Sequence, residues 1–318
     1  MSNTTRRQHY VWKHYLRSWE RAGRVSVLRK GGSPPFQTDA VNIAVMRDFY
    51  RLPTLSEHDE DFVGRFIDNI CAKSPMLKEL NRGWLDAIAM ASRLRRLMPG
   101  FANLDPAIQG QINAEIERFE IQAEEGYHGA VEVSALPLID ALKAGKVEVW
   151  DNDDNARDLA YFMSVQHFRT KKVRDNVIAG YPAGEHRERV ERLWPVLRHV
   201  FATNVGWSLF SERASWRLRL LRAPENAEFI TGDQPTMNLL PHDHHNGLAF
   251  YYPVSPVMAA ILEHRDNESV AGVDDDASES LVQSLNTQIF EGSHEQVFSS
   301  DIVYLEALAA AKDDPELE

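Results

Sequence analysis

Apolar residues recur at helical spacing through the middle of the chain and at alternating spacing near both ends. Arg24-Val-Ser-Val-Leu-Arg29 alternates, is β-branched and runs into Gly31-Gly-Ser-Pro-Pro35, which predicts a short strand closed by a turn. Ser56, with Asp59 three residues on, forms a capping-box-like helix start. Phe62, Val63, Phe66, Ile67 and Ile70 then share one helical face. Trp84 to Leu97 reads as a helix ended by Pro99-Gly100, and Asp105-Pro106 starts the next. Leu104, Ile108, Ile112, Ile116 and Phe119 make the clearest amphipathic stripe in the chain. Glu115, Glu117, Glu120, Glu124 and Glu125 are expected on its solvated face.

Lys146–Trp150 reads as a short strand, and Asp151–Asn155 as a polar loop that caps the following helix. Asn155 to Ile178 is expected to be one helix. Leu193, Trp194, Leu197 and Phe201 mark another, limited or kinked by Pro195. Trp207 to Leu221 is compatible with helix or strand. Beyond Pro224 the texture changes: Glu228–Thr231, Leu248–Val254, Met258–Leu262 and Gln296–Phe298 read as strands, and Ser278–Ile289 as a helix. The sequence therefore predicts an α+β fold, a helix-rich middle with a small mixed or antiparallel sheet built from N- and C-terminal strands. Residues 1–312 are expected to form one domain, and residues 313–318 a frayed acidic tail.

With 43% hydrophobic residues in 318, the chain can bury a sizeable core. Its single cysteine, Cys71, rules out an intrachain disulfide and a thiolate zinc cluster. No apolar run reaches membrane-span or signal-peptide length, so a cytoplasmic protein without a membrane partner is expected. Charge is uneven. Residues 1–30 hold eight cations against Glu20 alone, a balance of +7, and the chain total of −12 leaves −19 for the rest. That balance disfavours a generic nucleic-acid coating protein. The basic start can dock on the acidic body or face a polyanion. A P-loop, a dinucleotide-binding turn, a nucleophile elbow and an H-E-x-x-H helix are all missing from the sequence. His242-Asp-His-His245 has the composition of a metal tract, but adjacent side chains in a loop diverge.

Four segments carry a resemblance. Gln8-His-Tyr-Val-Trp-Lys-His-Tyr-Leu-Arg-Ser-Trp19 opens the chain, and Val41-Asn-Ile-Ala44 leads to Asp48-Phe-Tyr50. Gln166-His-Phe-Arg-Thr170 follows, then Phe229-Ile-Thr-Gly-Asp-Gln-Pro235 with Tyr252-Pro-Val-Ser-Pro256. Together they resemble the bacterial family called domain of unknown function 4238. Trp12 and Lys171 stand where that family carries proline, so the local backbone is expected to differ there. The resemblance brings no settled activity. A toxin-like or phage-defence effector role is what it implies.

The matched polar residues supply the candidate chemistry. His9 has the side chain suited to proton transfer at neutral pH and sits among Arg6, Arg7 and Lys13. Gln166 falls on the apolar stripe of its helix with Arg169 at the edge, so both must meet partners or a ligand. Asp233 follows an expected strand and precedes Pro235, a position suited to a metal ligand or to a turn. These residues suggest an enzyme acting on a phosphate-bearing substrate, a nuclease above all. His9, Gln166 and Asp233 would be catalytic, and Tyr10, Arg17, Arg169 and Thr170 would bind substrate. Asp233 would hold a divalent Mg²⁺ or Mn²⁺. The partner would be nucleic acid or a phosphorylated small molecule. The alternative is a non-enzymatic binding module or assembly subunit, with a protein partner or a second copy, whose polar cluster is structural.

Overall fold

The computed structural model describes residues 6–240, 247–267 and 275–313. The His242–His245 tract and residues 314–318 of the expected tail lie outside these. The chain begins with strand β1 (Arg7–His9), a short helix α1 (Lys13–Leu16), and strands β2 (Val25–Arg29), β3 (Phe36–Thr38) and β4 (Val45–Arg47). Six helices follow: α2 (Glu57–Ile70), α3 (Pro75–Leu97), α4 (Pro106–Lys143), α5 (Asp153–Phe168), α6 (Lys171–Ala179) and α7 (Glu185–Ser211). The last part holds β5 (Trp216–Arg222), β6 (Thr231–Gly232), β7 (Met237–Asn238), β8 (Ala249–Ser255) and β9 (Met258–His264). Helix α8 (Glu279–Gly292), β10 (Gln296–Ser299) and α9 (Ile302–Asp313) complete it.

The strands of the two chain ends share a sheet. Its order is β3-β2-β10-β6, with Phe298 of β10 opposite Val27 on one side and Thr231 on the other. A second antiparallel sheet runs β5-β9-β8-β7, and β1 pairs with β4 separately. The α+β fold with a helix-rich middle is thus as expected, and its small sheets are antiparallel. One apolar core joins Tyr15, Trp19, Phe162, Tyr252 and Phe298, and so binds the N-terminal segment to α5 and to both larger sheets. Among the described residues no helix is long and apolar enough to cross a membrane.

Local signals placed several elements correctly. Ser56 and Asp59 form the full capping box of α2. Asp105 caps α4 through the Ala107 amide, and Asn152 caps α5 through the Asn155 amide. Other expectations are corrected. Val147–Trp150 is a 3₁₀ turn rather than a strand, with Val149 and Trp150 buried. The expected helix from Asn155 to Ile178 is two helices, broken at Arg169-Thr170. Trp207–Leu221 divides: α7 runs to Ser211 and β5 begins at Trp216.

The largest correction concerns α4. Of its predicted apolar stripe only Ile116 is buried, while Leu104, Ile108 and Phe119 are exposed. The glutamates assigned to solvent include two of its most buried residues, Glu120 and Glu124. Glu120 accepts hydrogen bonds from Arg95 at 2.5 and 2.8 Å and from Arg51 at 3.2 Å. Glu124 lies against Arg198, with His199 Nε2 3.3 Å away. Cations of α3 and α7 hold Glu120 and Glu124, so part of the acidic face turns inward and most of the apolar stripe does not.

The basic N-terminal segment docks on carboxylates of the body. Arg6 pairs with Asp48 at 3.0 Å and lies 3.6 Å from Glu117, and Arg21 pairs with Glu228 at 2.7 Å. Glu120→Ala is expected to cost about 1–2 kcal/mol, because it removes the buried acceptor of Arg95 and Arg51, whose guanidinium groups stay partly in water. Urea denaturation of the variant beside wild type checks this, with a Glu120→Ala/Arg95→Ala double variant expected to recover part of the loss.

Candidate functional site

Arg169 is 2% exposed and caps the C-terminus of α5, where the helix break turns its side chain inward. Its Nε donates to Tyr50 Oη at 2.9 Å. Its Nη1 donates to Glu132 Oε1 at 2.6 Å and Gln166 Oε1 at 3.3 Å. Its Nη2 donates to the His9 carbonyl at 3.0 Å. Burial works against the charge, but Tyr50 and Glu132 beside it outweigh burial and raise its pKa, so the guanidinium stays charged. His9, Gln166 and Arg169 are therefore brought together, and His9 enters through its backbone oxygen. The His9 imidazole is half-buried and its Nε2 has no hydrogen-bond partner. Burial, with Lys13 adding to it, lowers its pKa, so the ring is neutral at pH 7.

Asp233 belongs to a second cluster. The loop after β6 runs against Ser293–Gln296, and the Asp233 carboxylate accepts three backbone amides: His294 at 2.6 Å, Glu295 at 2.7 Å and Gln296 at 3.0 Å. Gly232 permits this approach, since a Cβ there would overlap Ser293 Oγ. Burial raises the Asp233 pKa, and the amides oppose it without cancelling it. One ligand atom each from Asp233, His294 and Glu295 lies within 4.8 Å of the others. His294 Nε2 meets Asp175 Oδ2 at 2.9 Å. Its Nδ1 is left without a hydrogen-bond partner, 3.5 Å from Glu295 Oε1. Lys171 Nζ lies 3.2 Å from Glu295 Oε2 and sits over the Tyr10 ring at 5.1 Å. Burial and the nearby Asp233 and Glu295 raise the Tyr10 pKa, so its phenol stays protonated.

The two clusters touch through sequence neighbours. Tyr10 follows His9, and Lys171 follows Arg169 and Thr170. Thr170 is buried and its hydroxyl meets Gln234, the residue after Asp233. Arg17 joins neither cluster: it is exposed on a 3₁₀ turn, and its side chain makes no hydrogen bond or ion pair among the described residues.

The matched segments also interlock elsewhere. Tyr15 Oη bonds Thr231 Oγ1 at 2.6 Å and the Pro253 carbonyl at 2.7 Å, and Trp19 Nε1 donates to the Phe229 carbonyl at 2.8 Å. The Tyr50 amide donates to Gln8 Oε1 at 2.8 Å. All four segments are thus stitched to one another. The family described as a protein of unknown function, DUF4238, matches residues 7–302. The chain belongs to this family. No curated protein and no solved structure matches it.

In this DUF4238 chain the sequence reading missed Asp175, His294 and Glu295. Each looks like an ordinary surface residue locally, and only folding brings α6 beside the segment after α8. The reading also missed a buried group around Glu124. His128 and His199 flank that carboxylate, and burial lowers both pKa values well below the ordinary range. Trp84 stacks on His199 at 4.3 Å and also lines an apolar cleft of about 560 Å³.

Near the Arg169 cluster, burial pushes the Glu125 carboxyl up to about 7, with Glu132 adding and Arg169 opposing. A carboxyl whose folded pKa is raised holds its proton more tightly folded than unfolded, so its ionisation costs stability as pH rises from about 4 through about 7. Glu125→Gln is expected to stabilise the protein at about pH 8 and to change little at about pH 4. Denaturation midpoints at the two pH values check the sign.

Proposed function

We propose that this DUF4238 protein is a divalent-metal-dependent hydrolase of phosphate esters, nuclease-like, centred on Asp233, His294 and Glu295. One observation carries the reading: three ligand atoms within 4.8 Å, one of them on an imidazole whose other nitrogen is held by Asp175. A carboxylate behind a ligating histidine fixes its tautomer and strengthens it as a donor. Here that arrangement leaves His294 Nδ1 as the ligating atom. A nitrogen donor beside two carboxylates suits Mn²⁺ or Zn²⁺ better than Mg²⁺, which prefers oxygen. A bound divalent ion would supply Lewis acidity to a phosphoryl oxygen and an acidified water. Lys171, ion-paired with Glu295, steadies that carboxylate at the edge of the cluster, and the protonated Tyr10 phenol closes the inner wall. A cleaving effector acting in the cytoplasm, toxin-like or directed against phage nucleic acid, is the setting this reading suggests.

One observation favours the structural alternative. Both Asp233 oxygens already accept backbone amides, so the residue also clasps two segments together. The two readings separate in His294→Ala, which keeps all three amides and removes a ligand. Wild type is expected to bind one equivalent of Mn²⁺ by electron paramagnetic resonance and to cleave bis(p-nitrophenyl) phosphate or a single-stranded oligonucleotide. His294→Ala and Asp175→Asn should weaken Mn²⁺ binding by about 10-fold or more. EDTA should abolish cleavage. A folded wild type that binds neither Mn²⁺ nor Zn²⁺ would leave the clasp as the role of Asp233.

A further inference from the structure

A second cavity, of about 490 Å³, is walled by the segments that build the Asp233 cluster. Helix α6 gives Asp175 to His294 and gives Lys172 and Asn176 to the cavity. Lys172 precedes Asp175 by three residues and Asn176 by four, so the three share one helix face. Asp233 is followed by Gln234 on the cavity wall, and Gly292, also on the wall, lies two residues before His294. The cavity and the cluster thus draw on the same three segments of the chain.

Its lining is of two kinds. His167, Phe168 and Phe250 form an aromatic wall, with the His167 ring centroid 5.1 Å from each of the other two. Lys172 and Asn176 form a polar rim. Lys171 is committed to Glu295, but Lys172 makes no ion pair among the described residues, and the Asn176 side chain makes no hydrogen bond there. An unpaired ammonium on a helix face shared with Asp175 suits an anion that bridges cavity and cluster. A flat ring suits the aromatic wall, and a free amide offers one donor and one acceptor to a ring edge or a sugar hydroxyl. The volume falls within the ~300–1,000 Å³ of sites for single small molecules. A paired duplex presents no unstacked base to such a cavity.

We propose that this cavity seats one nucleoside, with its phosphate directed at Asp233, His294 and Glu295, so that the substrate is a nucleoside phosphate or a single-stranded end. The placement of the phosphate rests on the metal reading above; the seating of the nucleoside does not.

Isothermal titration of the whole protein tests this, using AMP, ribose 5-phosphate and inorganic phosphate, each with Mn²⁺ and with EDTA. AMP is expected to bind about 10-fold or more tighter than ribose 5-phosphate, and Lys172→Ala to weaken AMP by about 10-fold. Val177 also lines the cavity; Val177→Trp fills it while leaving Asp233, His294 and Glu295 in place, and should abolish AMP binding with Mn²⁺ affinity and far-UV circular dichroism unchanged. Equal affinities for AMP and ribose 5-phosphate would overturn the proposal. So would AMP binding that survives Val177→Trp. AMP binding with the expected variant pattern, in a protein that takes up no Mn²⁺, would sustain the nucleoside cavity and remove the metal reading. Mn²⁺ uptake with no preference for AMP would do the reverse.

Discussion

A guanidinium taken out of water must be neutralised and must have its N–H groups occupied, or it costs several kcal/mol. Arg169 meets that constraint by drawing on three distant places in the chain, the His9 carbonyl, Tyr50 and Glu132, and on its own helix neighbour Gln166. Three of the four segments that the family resemblance picked out meet at this one side chain. Loss of the arginine would strand the Glu132 carboxylate and the His9 carbonyl in the interior, so these partners depend on one another. This explains why a polar residue sits at the edge of an apolar helical stripe, and why α5 ends where it does.

The clamp also sets the site beside it. His9 and Arg169 are held together, so the residues that follow them are held near one another too: Lys171 Nζ lies over the Tyr10 ring. Those two side chains form the inner wall of the cluster of Asp233, His294 and Glu295. The outer wall comes from a different tie, the three amides that bind Asp233 to the segment after α8. The pairing of β10 with β2 and β6 supplies the scaffold for that segment. A structural network and a cluster of possible metal ligands are thus built from adjacent residues.

Helix α4 shows how tertiary contacts redistribute a pattern that is visible in one dimension. Its hydrophobic period is real, yet Ile108 and Phe119 face outward while Glu120 and Glu124 are buried. A buried carboxylate is tolerated where a guanidinium meets it with good geometry, as Arg95 does for Glu120. The cations come from α3 and α7, whose packing against α4 no local window contains.

Much was legible without the fold. The capping box at Ser56, the caps at Asp105 and Asn152, and the strand Val25–Arg29 each follow from chemistry within a few residues. So did the sharing of a sheet by the chain ends, since short strands at both ends need partners and a helical middle offers none. Of the candidate residues, sequence marked His9, Gln166, Arg169 and Asp233 as polar groups in places that demand partners, and that demand is a local property. Which partners answer it is not local. The carbonyl rather than the imidazole of His9, the amides around Asp233, and the meeting of Asp175 with His294 across 119 residues are decided by packing. Proximity turns a half-buried histidine, an exposed glutamate and a buried aspartate into a candidate metal centre, because distance in space, and not along the chain, governs coordination and charge.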